Sequence, residues 1–264
     1  MALHYVETDI GTVAVEVEGS GRPIVMLHGS GSSLAAFDAQ AKEFRGERQV
    51  IRWDAPGYGK SQDPERELTA VEYGQAANCV AKEISPTVDV DLVGVSWGGL
   101  VALSALLGAE TGFRSVTLVG ANFGQQGDAE ASARTQARID GYRASKEDYI
   151  AARVDYLSGG DADNAHYRAI GKRMRTTTRL PGFEYALRSM LSCRIADRLA
   201  DVHIPKFLMW GATDRVAGRQ CQRVVDLRLV DSHFVVENAG HLANQDMPDV
   251  VNQQLRDFWS TLEA

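Results

Sequence analysis

The chain has 264 residues, of which 44% are hydrophobic and 24% charged, so it is long enough to bury a substantial globular core. Its formal net charge of −7 argues against nucleic acid or an anionic membrane surface as a partner, because both need a basic footprint. No signal-like segment opens the chain, and no apolar run approaches the length of a membrane span.

The cysteines point to a reducing environment. Cys79, Cys193 and Cys221 are widely spaced, odd in number, and form neither a CxxC pair nor a metal-ligand pattern. Together with the lack of a targeting segment, they predict a cytoplasmic protein with no metal site.

Short apolar segments alternate with helical ones along the first 121 residues. The predicted elements are strands over 3–8 and 12–18, a buried strand over 22–29, a helix over 34–44, a strand over 49–54, a helix that begins at the Thr69 capping box, a strand over 88–95, a helix to about 109, and a strand over 114–120. The first two strands form an antiparallel pair. The later alternation predicts an α/β fold with a parallel sheet and crossover helices.

The alternation stops after Asn122. Residues 122–201 show helical segments without a convincing strand, and strands over 205–211 and 233–240 then resume the sheet before a final helix over 249–262. A helical insertion at this place is typical of a lid over an active site. We therefore predict an α/β core over 1–121 and 202–264, with a helical cap over 122–201.

A G-x-S-x-G motif lies where the strand over 88–95 becomes a helix. Ser96 has Gly94 and Gly98 on either side, and a serine in such a turn carries its hydroxyl above the sheet. The alternative is that Ser96 caps the helix. A cap would not require small residues on both sides, so the motif favours a nucleophile.

A serine nucleophile needs a base, and His241 is the best placed of the six histidines. It follows a strand and a glycine, in a loop that reaches the carboxyl ends of parallel strands. His233 would begin that same strand and lie at its opposite end. His28 ends the strand over 22–29 and is better suited to support the neighbouring loop than to transfer a proton.

A base needs in turn a group that orients it. Asp214 follows the carboxyl end of the strand over 205–211, which favours it as the acid. Asp54, at the end of another strand, and Asp246, in the loop of His241, are the alternatives.

These motifs resemble those of the α/β-hydrolase fold family, in the chain order Ser96, Asp214, His241. The segments LHGSGSS, DAPGYGKS and GHLANQDMPDVVNQQLRDF resemble its oxyanion loop, its D-x-P-G-x-G-x-S segment, and its histidine loop with the closing helix. The resemblance covers nearly the whole chain except the insertion. It implies an eight-stranded, mostly parallel sheet with helices on both faces and a cap inserted after the sixth strand.

The resemblance also implies a mechanism. Ser96 attacks a carbonyl carbon, His241 takes its proton, and Asp214 orients the imidazole. The backbone N–H groups of Ser30 and Trp97 form the oxyanion hole. No metal or organic cofactor is implied, the partner is a small-molecule substrate, and whether copies of the chain form a homo-oligomer is left open.

The expected substrate is a carboxylic ester, lactone or thioester of modest size. Ser96 argues against haloalkane dehalogenases and epoxide hydrolases, which carry aspartate there. Hydrolases of carbon–carbon bonds remain open, although Val95 and Leu242 depart from their usual motifs. The segment SWGG at the serine turn resembles that of some acyltransferases of the family, so acyl transfer remains an alternative. Cofactor-free peroxidases and small-ligand receptors of this fold also remain alternatives.

Substrate selection is expected to fall to the cap and the loops near Ser96. Most cap aromatics suit ordinary helix packing. The indole of Trp97 must lie near the reaction centre, either as a pocket wall or as part of the core. The predicted substrate-binding residues are His28, Gly29, Phe123, Tyr142, Tyr185 and Leu242.

Overall fold

The structure is a computed structural model that describes residues 2–86, 90–108, 112–125, 127–158, 164–192 and 194–263. Three features predicted from the sequence lie outside these described residues. They are the start of the strand at 88–89, the end of the helix at 109, and Cys193. Cys79 and Cys221 are described, and both are free thiols.

The described residues form one eight-stranded sheet. Its strands are β1 (Ala2–Thr8), β2 (Gly11–Glu18), β3 (Arg22–Leu27), β4 (Arg48–Trp53), β5 (Val90–Val95), β6 (Phe113–Val119), β7 (Lys206–Gly211) and β8 (Ser232–Val236). Their order across the sheet is β1-β2-β4-β3-β5-β6-β7-β8. Only the pairs β1–β2 and β2–β4 are antiparallel. The predicted α/β fold is confirmed.

Both faces of the central strands β3, β5, β6 and β7 are buried, which explains why these strands are continuous apolar runs. Successive side chains of a strand point to opposite faces. In β3, Val25 and Leu27 join one apolar cluster, while Ile24 and Met26 join a second. Helices cover the two faces, and in chain order they are α1 (Asp38–Phe44), α2 (Ala70–Ile84), α3 (Trp97–Leu106), α8 (Gly218–Asp226) and α9 (Pro248–Thr261).

The chain between β6 and β7 is helical, at the predicted position of the cap. Its helices are α4 (Ala129–Ala144), α5 (Lys146–Ser158), α6 (Ala165–Thr177) and α7 (Leu180–Ser189). In the described part of residues 122–201, extended pairing is limited to isolated bridges. Arg179 connects this segment to the core, because its guanidinium donates to the carbonyl oxygens of Gly59 and Ser61, both at 2.6 Å, and pairs with Asp63.

One core helix, α8, was absent from the sequence prediction. Its segment begins with a glycine, which gives no helix-start signal, and its buried residues are only Cys221 and Val224. Such a short apolar stripe is too weak to predict a helix. No helix in the part of the chain described here has both the length and the apolar character needed to cross a membrane.

Candidate active site

Ser96 occupies a strained turn between β5 and α3. Its backbone has φ 54° and ψ −118°, a left-handed conformation that a residue with a Cβ rarely adopts. The turn is held by hydrogen bonds from its N–H to the carbonyl oxygen of Val119 and to its own carbonyl oxygen from the N–H of Asn122, both 2.9 Å. The Ser96 side chain makes no capping hydrogen bond to α3, so the helix-cap alternative is wrong.

The two glycines of the motif make this turn sterically feasible. A Cβ on Gly94 would overlap the carbonyl oxygen of Gly98, and one on Gly98 would overlap the carbonyl oxygen of Leu27 at the end of β3. Helix α3 therefore passes against the neighbouring strand with no room for a side chain. This close approach is the physical reason for small residues on both sides of Ser96.

We expect Gly98→Ala to lower the free energy of unfolding by about 3 kcal/mol, because its methyl group would meet backbone atoms that cannot move without disturbing β3. Gly46→Ala is the matched control, since no atom lies within 4 Å of a Cβ at that position. Its effect should stay within about 0.5 kcal/mol. Chemical unfolding followed by circular dichroism measures both, and equal stabilities would contradict the proposed close packing.

Ser96, His241 and Asp214 lie in one hydrogen-bonded line. Ser96 Oγ is 2.8 Å from His241 Nε2, and His241 Nδ1 is 3.0 Å from Asp214 Oδ2 and 3.1 Å from Oδ1. The three residues come from the ends of β5, β7 and β8, which are brought to one edge of the sheet by parallel pairing. The structure thus brings together the three residues predicted to be catalytic.

The Asp214 carboxylate is held ionised in a buried position. Burial alone would raise its pKa, but the hydrogen bond and charge of His241, together with the backbone N–H groups of Ala217 and Val216, lower the pKa below its ordinary value. Those N–H groups lie 2.9 and 2.7 Å from Oδ1. A fixed anion at Nδ1 sets the tautomer in which His241 Nε2 can accept a proton.

The alternative histidines take other places. His233 is exposed at the opposite end of β8 and stacks on Trp210 at 5.8 Å between ring centroids. His28 is fully buried, and its Nε2 accepts from the N–H of Ala55 at 3.0 Å while Nδ1 lies 2.8 Å from the carbonyl oxygen of Gly29. The substrate-binding prediction for His28 needs correction, because both ring nitrogens hold loops together in the interior.

The alternative acids support loops. Asp54 accepts from the N–H groups of Leu34 and Lys60, each at 2.9 Å. Asp246 accepts from the N–H of Gly240 at 2.9 Å, and its other oxygen lies 3.2 Å from His166 Nε2 on α6. Neither carboxylate contacts the imidazole of His241.

A narrow cavity opens beside the Ser96 hydroxyl, and we call it the Ser96 cavity. Its free volume is about 30 Å³, enough for about two water molecules. The residues that line it are Gly29, Ser30, Gly31, Ser32, Ala36, Val95, Ser96, Arg153, Leu157, Ile170, Met174, His241, Leu242 and Gln245. The loop after β3 forms one wall, and helices α5 and α6 close the opposite side.

The two residues predicted to form an oxyanion hole flank Ser96. Ser30 lines the Ser96 cavity on the loop after β3. Trp97 is the first residue of α3, so its N–H has no acceptor within that helix. The indole of Trp97 is fully buried, and its Nε1 donates to Ser189 Oγ at 2.9 Å, which assigns the side chain to the core beneath the cap.

Of the predicted substrate-binding residues, the cavity wall includes Gly29 and Leu242. Phe123 is buried and lines a different cavity, between α8 and the start of the cap. The hydroxyl of Tyr142 donates to the carbonyl oxygen of Thr178 at 2.9 Å, and its ring stacks on Phe183. Tyr185 lies half-buried on α7, outside the cavity wall. None of these three residues lines the Ser96 cavity, so a part for them in substrate binding stays a prediction.

Sequence reasoning missed four cap residues on the cavity wall. They are Arg153 and Leu157 on α5, and Ile170 and Met174 on α6. The spacing of four residues within each pair places both members on one helix face. That spacing is visible in the sequence, but no local sequence signal indicates that these two helix faces pack towards Ser96.

Comparison with known proteins places the chain in a family. An eight-stranded, mostly parallel sheet covered by helices, with a serine turn after β5, is the architecture of the α/β-hydrolase fold. The family model described as "Alpha/beta hydrolase family" matches residues 24–254, and the chain belongs to that family.

Three similar proteins illustrate its range. The chain is 21% identical to 3-oxoadipate enol-lactonase 1 of Acinetobacter baylyi, over 96% of this chain and 94% of that one. It is 28% identical to 2-hydroxy-6-oxo-2,4-heptadienoate hydrolase of Pseudomonas putida, over 75% and 74% of the two chains. The structure of a thermophilic esterase from Thermogutta terrifontis superposes with a TM-score of 0.90 at 20% identity, covering 100% of both chains.

Proposed function

We propose that the chain is a serine hydrolase that cleaves a carboxylic ester, lactone or thioester of small to medium size. The observation that carries this proposal is the hydrogen-bonded line from Ser96 Oγ through His241 to Asp214. A serine hydroxyl becomes a useful nucleophile when a base within hydrogen-bond reach is itself oriented by a third group.

The reaction follows from these contacts. Ser96 Oγ bonds to the carbonyl carbon as His241 Nε2 takes its proton, and Asp214 stabilises the resulting imidazolium. The imidazolium gives that proton to the leaving oxygen or sulfur as the bond to it breaks. Water then attacks the acyl-enzyme with His241 as base, releasing the acid and restoring Ser96.

The negative charge that develops on the carbonyl oxygen needs donors. We assign this role to the backbone N–H groups of Ser30, which lines the Ser96 cavity, and of Trp97, which follows Ser96 at the start of α3. Loss of one such donor typically costs about 3 kcal/mol of transition-state stabilisation. Helices α5 and α6 act as a lid in this proposal, because they close the Ser96 cavity and limit the entry of water.

Carbon–carbon bond hydrolysis is the second candidate. It is favoured by the 28% identity to a relative named 2-hydroxy-6-oxo-2,4-heptadienoate hydrolase. Against it, Leu242, which follows the base and forms part of the cavity wall, departs from the usual motif of carbon–carbon hydrolases. The relative named 3-oxoadipate enol-lactonase 1 supports hydrolysis of an ester or lactone.

A substrate screen separates these candidates. It compares p-nitrophenyl esters of graded acyl length, small lactones and vinylogous diketones, with the Ser96→Ala variant as the blank. We expect hydrolysis of short esters or lactones, with a pre-steady-state burst from the acyl-enzyme. Cleavage of the diketones alone would replace the proposal by carbon–carbon hydrolysis. Transfer to added alcohols or thiols in place of water would indicate an acyltransferase, and no turnover at all would favour a receptor.

A further inference from the structure

The cap places one permanently charged side chain on the wall of the Ser96 cavity. Arg153, on α5, is half-buried there beside Leu157, Ile170 and Met174. Aliphatic side chains of this kind solvate no charge. The remaining wall comes from the loop after β3, the serine turn and the histidine loop, and the described residues that line it include no Asp or Glu.

Arg153 is held in place but is not neutralised. Its guanidinium lies over the ring of Tyr156, 5.5 Å from the centroid, and the Tyr156 hydroxyl donates to the carbonyl oxygen of Arg215 at 3.0 Å. Within the described ranges, no carboxylate forms an ion pair with Arg153. Some other cap arginines do have such partners, as Arg179 pairs with Asp63 and Arg143 with Glu184.

A second uncompensated arginine adds to the positive potential at this position. Arg138 donates to the hydroxyl of Tyr149 at 3.2 Å, and no ion pair joins it to a carboxylate among the described residues. Burial, followed by the charge of Arg138, lowers the pKa of Arg153 to about 10, although the charge of the Asp214 carboxylate, which forms no ion pair with it, acts in the opposite direction. Arg153 therefore still carries its proton at neutral pH. Burying an unpaired cation costs free energy that an arriving anion would recover.

We propose that Arg153 binds a carboxylate of the substrate, so that the preferred ester, lactone or thioester carries a free carboxylate a few bonds from its scissile carbonyl. The fork of guanidinium N–H donors matches the two oxygens of a carboxylate. Arg153 and Ser96 line the same cavity, so the carboxylate and the scissile carbonyl are expected to belong to one small molecule and to be separated by a short chain. This inference rests on the proposed hydrolase function and specifies its substrate class.

Matched ester pairs test the inference by kinetics. Monoethyl succinate, glutarate and adipate are compared with ethyl butanoate, pentanoate and hexanoate, which differ only by a terminal methyl in place of the carboxylate. Ethyl esters are chosen because an activated aryl ester would react with its own carboxylate. Rates are measured by titrating released acid for the wild type, Arg153→Met, Arg153→Lys and the control Arg134→Met. Arg134 is an exposed arginine on α4.

The measured quantity is the ratio of kcat/KM for an anionic ester to that for its neutral match. We expect this ratio to exceed one for at least one wild-type pair, to fall about 30-fold in Arg153→Met, to recover partly in Arg153→Lys, and to stay unchanged in Arg134→Met. A wild-type ratio below one for every pair, or an unchanged ratio in Arg153→Met, would overturn the inference while leaving the hydrolase proposal intact.

A binding measurement decides the matter if no ester is hydrolysed. Succinate, glutarate and adipate are titrated by calorimetry into Ser96→Ala and into the double variant that also carries Arg153→Met. We expect the Kd of at least one dicarboxylate to rise about 10-fold or more in the double variant. Equal binding to both proteins, or no binding to Ser96→Ala, would overturn the role of Arg153 without reference to turnover.

Discussion

Ser96→Ala is expected to lower kcat for ester hydrolysis by about a millionfold, to the level set by binding alone. The Ser96 hydroxyl is the one that lies 2.8 Å from a histidine whose other nitrogen faces a buried carboxylate. Removing it leaves no group at that position to form the acyl-enzyme. Steady-state rates on the preferred ester, with the protein concentration raised until the residual rate is measurable, give the size of the loss.

Ser104→Ala is the matched control for this prediction. Ser104 lies within α3, eight residues after Ser96, is buried like its neighbours, and has a hydroxyl without a hydrogen-bond partner. The substitution removes the same atom two turns further along the helix, so kcat should stay within about twofold and stability within about 0.5 kcal/mol. A Ser96→Ala protein that keeps more than about a hundredth of the wild-type rate would show that the hydroxyl is not the nucleophile.

His241→Ala is expected to reduce kcat by a similar factor. Ser96, His241 and Asp214 act as a unit, so the falls in kcat that follow from replacing each of them are not additive. Without the imidazole, Ser96 Oγ loses the base that lies 2.8 Å away. Stability should change little by comparison, about 1–2 kcal/mol, since Asp214 keeps the hydrogen bonds from the N–H groups of Val216 and Ala217. Rates on the preferred ester and thermal unfolding measure the two effects separately.

The control for that prediction is His233→Ala. His233 belongs to the same strand, β8, but is exposed at its far end. Near-normal rates are expected for this variant. Near-normal rates in His241→Ala would mean that the base has been wrongly assigned. A large fall in stability would mean instead that His241 serves mainly the fold.

The fold was predictable because its signals are local and repeated. Strands β3, β5, β6 and β7 are buried on both faces, so each is a short continuous apolar run. The glycines around Ser96 are determined by a close approach of backbones, which leaves a mark in the sequence. The positions of Asp214 and His241 followed from the rule that loops at the carboxyl ends of parallel strands meet at one edge.

The wall of the Ser96 cavity was less predictable because it depends on packing between distant segments. His28 lies next to Gly29 in the sequence, yet its ring points into the interior, where Nε2 accepts from the N–H of Ala55. This side-chain orientation depends on a loop that another part of the chain forms. Tyr142 was predicted to bind substrate, but its ring stacks on Phe183 within the cap, as expected for most of the cap aromatics. Nothing in the sequence distinguishes Arg153 from the other arginines of the cap. Its importance comes from the lack of a carboxylate partner among the described residues, which only the structure shows.

The central claim is that Ser96 is activated in the folded protein, and covalent labelling tests it most directly. The native protein is treated with a fluorophosphonate, digested and examined by mass spectrometry, beside Ser96→Ala, Ser104→Ala and His241→Ala. We predict one adduct per chain, on Ser96, in the wild type and in Ser104→Ala, none in Ser96→Ala, and far slower labelling in His241→Ala. A correctly folded wild-type protein that stays unlabelled, or that carries its adduct on another residue, would contradict the account.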